Sequence, residues 1–180
     1  MRVIAARNDD SFTGLFLTAR HSARHLEVRD NYAVTEEADA IRAWRAEGRV
    51  VETEADREWT RLVRTLTARG VTVARLRIVS IPPSDYARWL VATSTHNIAA
   101  GEEIRWLPRD LVEGPVPLDD WWLFDRNTAG FTTFDDNDVY TGLAVSADPA
   151  VAKVCAEAWD RLWPQGIDHA RFANSEFALR

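Results

Sequence analysis

The sequence predicts an α/β protein, with α+β as the variant. One mixed sheet is built on a central βαβ unit, flanked by helices and preceded by a helical segment. Three observations point there. Val71–Ile81 alternates as a strand, Ser84–Gly101 follows as a helix, and Glu102–Leu107 returns as a strand. Downstream, WWLFD (121–125), Phe131–Phe134 and Val139–Val145 read as further strands. Upstream, the first 70 residues carry apolar stripes of helical period.

Asp10 or Ser11 can N-cap a helix whose Phe12, Leu15, Phe16 and Ala19 share one face. LEVRDNY (26–32) then alternates as a short strand, with Glu27 and Arg29 opposite Leu26 and Val28. A helix is expected after Thr35, with Ile41 and Trp44 inward and Gly48 as its stop. Thr53–Asp56 resembles a capping box in front of a stripe of Trp59, Leu62, Val63 and Leu66.

In Val71–Ile81, residues Val73, Arg75, Arg77 and Val79 share a face, so two arginines stand about 7 Å apart along the strand. Pro82-Pro83 ends the strand and Ser84 caps the next helix, which turns Tyr86, Trp89, Leu90 and Thr93 inward. WWLF is apolar on both faces, the mark of a buried central strand, and places Trp121 and Trp122 on opposite sides. A polar turn, Asp135–Asp138, joins the next two strands. Asp148-Pro149 starts a last helix that Pro164 and Gly166 end. The expected plan is one domain over residues 1–180: a helical part (1–70), an α/β core (71–165) and a loose tail (166–180) that Phe172 and Phe177 can dock.

A chain of 180 residues can bury roughly 70% of its unfolded surface, which needs no disulfide or structural metal. Net charge is −6, which argues against direct nucleic-acid binding. One cysteine, Cys155, suits a reducing compartment. The stretch MRVIAARNDD has no apolar run of the length a secretory leader needs, no run reaches membrane length, and the expectation is a cytoplasmic protein.

Several short pieces recur in one order: Leu26-Glu27 with Tyr32, Arg75–Val79, Pro82 with Ser84–Tyr86 and Arg88, Ala100–Arg105, Asp120–Asp125, and Trp159 to Trp163. In these the chain resembles an actinobacterial domain-of-unknown-function family often encoded beside helix-turn-helix regulators. The order of elements also resembles the α/β half-domain of the phospholipase D-like superfamily, whose degenerate copies serve as sensors in some transcription regulators. That superfamily's catalysis needs His-x-Lys ahead of an acid on the central strand. No such pair occurs, and Lys153 is the only lysine. The resemblance therefore implies a phospholipase D-like architecture and not the activity.

Arg75 and Arg77 admit two readings. In one they are ion-paired with carboxylates such as Glu27, Glu102 or Asp125. In the other they form a guanidinium clamp for a carboxylate or phosphate, joined by Tyr86, Arg88 and Arg105, with Trp122 stacking a flat ligand. Glu102 and Asp125 are the candidate bases if the protein is an enzyme, Asp125 because it ends a buried strand where open α/β sheets bind ligands. His21 and His25 have the i, i+4 spacing of a metal pair on a helix, but no third ligand supports a metal site. Glycine-rich nucleotide loops and Gly-x-Ser-x-Gly are absent, so no cofactor is expected.

The leading expectation is a non-enzymatic regulatory domain that binds a small anionic or aromatic metabolite, or a helix-turn-helix regulator protein, near Arg75, Arg77 and Asp125, with Glu27 among the candidate ligand contacts. The alternative is a small enzyme of specialised metabolism with a carboxylate base and the Arg pair holding a carboxylated substrate.

Overall fold

The structure, a computed structural model, describes residues 2–5, 9–32, 37–136 and 139–179. Thr35, Asn137 and Asp138, which entered the sequence reading, lie outside the described residues.

The chain runs β1 (Arg2–Ala5), α1 (Asp9–Thr18), β2 (Ser22–Glu27), α2 (Ala38–Glu47), α3 (Glu54–Ala68), β3 (Thr72–Val79), α4 (Asp85–Ala99) and β4 (Glu103–Pro108). It continues through β5 (Trp121–Phe124), β6 (Thr128–Phe134), β7 (Tyr140–Ser146), α5 (Pro149–Leu162), β8 (Ile167–Asp168), α6 (His169–Ala173) and α7 (Glu176–Leu179). These strands form one mixed sheet in the order β1-β7-β6-β5-β2-β3-β4-β8. β2, β3 and β4 are parallel; every other pairing is antiparallel.

Local chemistry sets the helix starts. The Thr53 hydroxyl accepts the Asp56 N–H at 3.1 Å while the Asp56 carboxylate accepts the Thr53 N–H at 2.8 Å, closing a capping box on α3. Ser84 caps α4 by accepting from the Ala87 N–H at 3.1 Å, and Asp148 caps α5 by accepting from the Ala150 N–H at 2.8 Å.

Both parallel crossovers, through α2–α3 and through α4, pack on one face of the sheet, as a consistent crossover hand requires. One apolar cluster there joins Phe16, Val63, Leu66, Val73, Trp122 and Phe124. A second joins Val79, Ala87, Ile104, Trp106 and Phe172. The opposite face is covered by α5, whose Ala152, Cys155, Trp159 and Leu162 pack on Leu26, Leu76, Ile78, Trp121 and Leu123. Trp121 and Trp122 thus serve different cores, as strand alternation demands.

Two boundaries differ from the sequence reading. The first 70 residues give the sheet two strands where one was expected: β1 was not foreseen, and β2 lies at Ser22–Glu27 and not at 26–32. The tail is not loose: β8 pairs with β4, and Phe172 is fully buried and stacked on Trp106 at 5.1 Å. A two-residue strand carries no period to read, so the sequence pattern was silent there. No helix among the described residues is long and apolar enough to cross a membrane.

Candidate functional site

On the helix-covered face, the gap between the two apolar clusters is filled by charge. β3 projects Arg75 and Arg77 there, and the parallel register sets His25 opposite Arg75 and Glu27 opposite Arg77. β5, antiparallel on the other side of β2, sets Trp122 opposite His25. The imidazole and indole stack, with centroids 4.1 Å apart and planes 13° apart.

Both guanidinium groups are buried and already paired. The Arg75 Nε donates to Glu102 Oε1 at 2.7 Å, and its Nη1 donates to Glu27 Oε1. The Arg77 Nε donates to Glu27 Oε2, and its Nη1 donates to Ser94 Oγ at 2.9 Å. Glu102 completes its shell by accepting the Trp59 indole N–H at 2.8 Å. It reaches this position through Gly101, whose φ of +104° is strained for any other residue and whose Cβ would meet Thr67 at 3.1 Å.

Two positive and two negative charges therefore cancel. Burial alone would raise the Glu27 carboxyl, but the Arg77 and Arg75 guanidiniums beside it hold it far below the usual carboxylate range. Burial and the two arginines push His25 well below its ordinary value, against the pull of Glu27, so the imidazole is neutral. Its Nδ1 lies 3.2 Å from Glu27 Oε1 without hydrogen-bond geometry.

Above this floor lies a cavity of about 330 Å³. Its floor is His25, Glu27, Arg75, Arg77 and Trp122; its walls are Phe12, Trp59, Tyr86 and Leu90 from the helices and Thr132, Phe134, Tyr140 and Leu143 from the sheet. Tyr32 and Glu37 complete the rim. The Tyr86 hydroxyl donates to Glu37 Oε2 at 2.9 Å, and the Tyr32 hydroxyl donates to Asp120 Oδ2 at 2.5 Å. Burial, the largest influence, raises Glu37 from 4.5 to about 7 despite the Tyr86 hydrogen bond.

Five of the residues nominated from sequence meet at this cavity: Glu27, Arg75, Arg77, Tyr86 and Trp122. Four do not. Glu102 lies beneath the floor, sealed by Arg75 and Trp59. Arg105 projects to the other face, where it lies 4.4 Å over the Trp163 ring and donates to the Trp163 carbonyl at 3.0 Å. Arg88 follows Tyr86 by two residues, about 200° around α4, and so turns off the wall.

Asp125 is at the wrong end of the sheet. Because β5 runs antiparallel to β2, its carboxyl end meets the start of β2 and not the carboxyl edge of the parallel strands. There Asp125 accepts the backbone N–H groups of Arg20 and His21 at 2.8 Å and of Ser22 at 2.9 Å. The His21/His25 helix pair also falls away, since His25 is on a strand and buried. Sequence reading missed Glu37, Tyr32, Phe134 and Tyr140 as wall residues. Trp59 was legible as part of the inward stripe of α3, but not as the partner of Glu102.

Comparison with curated proteins gives no match. Among solved structures, the chain is similar to Nuc from Salmonella typhimurium, a phospholipase D family member: 14% identity, TM-score 0.58, covering 93% of this chain and 95% of that one. It also aligns with TrmBL2, an archaeal chromatin protein, at 15% identity and TM-score 0.48, over 93% of this chain and 55% of that one. The first likeness makes the fold phospholipase D-like. Over residues 10–174, the sequence matches one family throughout, and the chain belongs to it: the domain of unknown function DUF6879.

Proposed function

We propose that this protein is a non-enzymatic, cytoplasmic regulatory domain that takes a small planar aromatic molecule into the cavity over Arg75 and Arg77. The observation that carries the reading is the cavity itself: about 330 Å³, ringed by aromatic side chains over a floor whose charges cancel. That volume lies at the small end of ligand sites, which combine apolar walls with few fixed polar groups. Because both arginines are matched by Glu27 and Glu102, the floor offers an anion little net attraction. Of the ligand classes expected from the sequence, the aromatic one has more support here than the anionic one. A helix-turn-helix regulator is the partner that would read occupancy.

The enzyme alternative has less support, since neither Glu102 nor Asp125 is on the cavity wall. Melting with small aromatic probes (indole, 2-naphthol, benzoate) tests the reading. A saturable rise in melting temperature is expected with the first two, because a ligand that binds only the folded state stabilises it. Thr132→Trp, which places an indole in the cavity from β6, should abolish the rise. A flat response to every probe, or a rise that survives Thr132→Trp, sinks the proposal.

A further inference from the structure

The polar groups of the cavity wall are neither equivalent nor all used. A guanidinium carries five N–H donors, and the ion pairs at Glu27, Glu102 and Ser94 use only Nε and Nη1 of each arginine. Among the described residues, Nη2 of Arg75 and Nη2 of Arg77 make no hydrogen bond, yet neither is among the polar atoms closed off from solvent. Both residues line the cavity, which makes these amino groups its candidate donors. Glu37 is the reverse case. Its Oε2 accepts from Tyr86, while its Oε1 makes no hydrogen bond and is not closed off. The cavity therefore presents donors from its floor and an acceptor from its rim, between aromatic faces.

A ligand that satisfies only one side leaves the other dry and unpaired, which costs free energy in a confined site. An anion would satisfy the donors but meet Glu37 and the already neutralised floor. A cation would satisfy Glu37 but face Arg77. A neutral ring with a carbonyl oxygen and an adjacent N–H satisfies both.

Resting on the aromatic-ligand reading above, we propose that the cavity recognises a neutral planar heterocycle through a lactam-type edge. The ring carbonyl accepts from the Arg75 and Arg77 Nη2 groups, the ring N–H donates to Glu37, and Trp59, Trp122 and Tyr86 contact the ring faces. The cavity volume admits one or two fused rings with little to spare.

Four bicyclic probes separate the outcomes, with binding to the full chain followed by calorimetry at pH 8, where Glu37 is a carboxylate and its Oε1 can accept. They are 2-quinolone, N-methyl-2-quinolone, quinoline and 2-naphthoate. We expect 2-quinolone to bind at least tenfold more tightly than each of the others. Equal binding of 2-quinolone and its N-methyl analogue removes the donor contact and overturns the inference. Tighter binding of 2-naphthoate overturns it in favour of an anion clamp. Equal binding of all four keeps an aromatic site but refutes the lactam edge, whereas no binding by any probe, together with a flat melting response to indole and 2-naphthol, refutes both readings. Glu37→Leu should reduce the ratio between the two quinolones to within twofold, and Glu37→Gln, whose amide oxygen can turn to the ring N–H while its NH2 donates to the Tyr86 oxygen, should preserve it. A ratio unchanged in Glu37→Leu counts against the assignment of Glu37. The wild-type comparison of the two quinolones stands alone if Glu37→Leu does not fold.

Discussion

Glu27 stands in register with Arg77 across the parallel β2–β3 pair, and the same carboxylate reaches back along β3 to Arg75. One buried acid thus holds two buried cations. Removing the charge strands both guanidiniums in a low-dielectric interior, where breaking a buried pair typically costs about 3–5 kcal/mol. Glu27→Gln should lose stability of that order in urea titrations at pH 7. The sign with pH follows from a carboxyl held below its unfolded value: the stabilisation is full above pH 4.5 and lost only as pH falls well below that. The difference between wild type and Glu27→Gln should therefore be flat from pH 6 to 8 and shrink in strong acid. A difference under about 1 kcal/mol at pH 7 would mean that the pairing contributes little.

Glu37 has the opposite sign. Its carboxyl is raised from 4.5 to about 7, so the folded state holds a proton that the unfolded state has released. Stability is unpenalised below pH 4.5 and declines as pH rises through 7. Such a raise corresponds to roughly 3 kcal/mol, less for whatever water reaches the rim. Glu37→Gln keeps an acceptor for the Tyr86 hydroxyl and cannot ionise. It should match wild type near pH 4 and exceed it by about 2 kcal/mol at pH 8. Parallel melting curves at both pH values would show that Glu37 is not strained by burial.

Asp125 is expected to matter for folding and not for binding. Its three backbone N–H contacts fasten the end of β5 to the start of β2, and its φ of 48° is costly for a residue with a Cβ. Asp125→Ala loses the charged acceptor and keeps the strain, at about 1–3 kcal/mol. Asp125→Gly loses the acceptor but relieves the strain, so it should be milder by about 1 kcal/mol. Calorimetry with 2-quinolone should give unchanged affinity in both. A binding loss in either variant would bring Asp125 back into the site.

The paired arginines were legible because strand period fixes which residues share a face. Val73, Arg75, Arg77 and Val79 follow one another every second position, and the alternation of β2 puts Glu27 opposite Leu26 in the same way. Caps at Thr53, Ser84 and Asp148 were legible because short polar side chains there accept the first free N–H groups of a helix. The direction of β5 was not. WWLF is apolar on both faces, and burial pattern carries no arrow, so Asp125 was assigned to the wrong sheet edge. Glu37 and Tyr32 escaped because they sit outside the regular elements, where no period ties a residue to a face.

Phe172 links the tail to the site. Its ring is fully buried and stacks on Trp106 at 5.1 Å, with planes 10° apart, while the Trp106 indole N–H donates to His169 Nδ1 at 3.1 Å. The Arg77 guanidinium lies over the same indole, 5.1 Å from its ring centroid. Deleting the phenyl leaves a cavity that the surrounding sheet cannot fully close, and Phe→Ala in such settings costs about 3–5 kcal/mol. Phe172→Leu retains most of the volume and should cost about 1–2 kcal/mol, within the range of hydrophobic swaps. If α6 is an integral part of the core, hydrogen exchange in Phe172→Ala should quicken at Ile167 and Asp168, which pair with β4. An alanine variant as stable as wild type would show that the segment after Gln165 is dispensable, and that the sheet ends at β4.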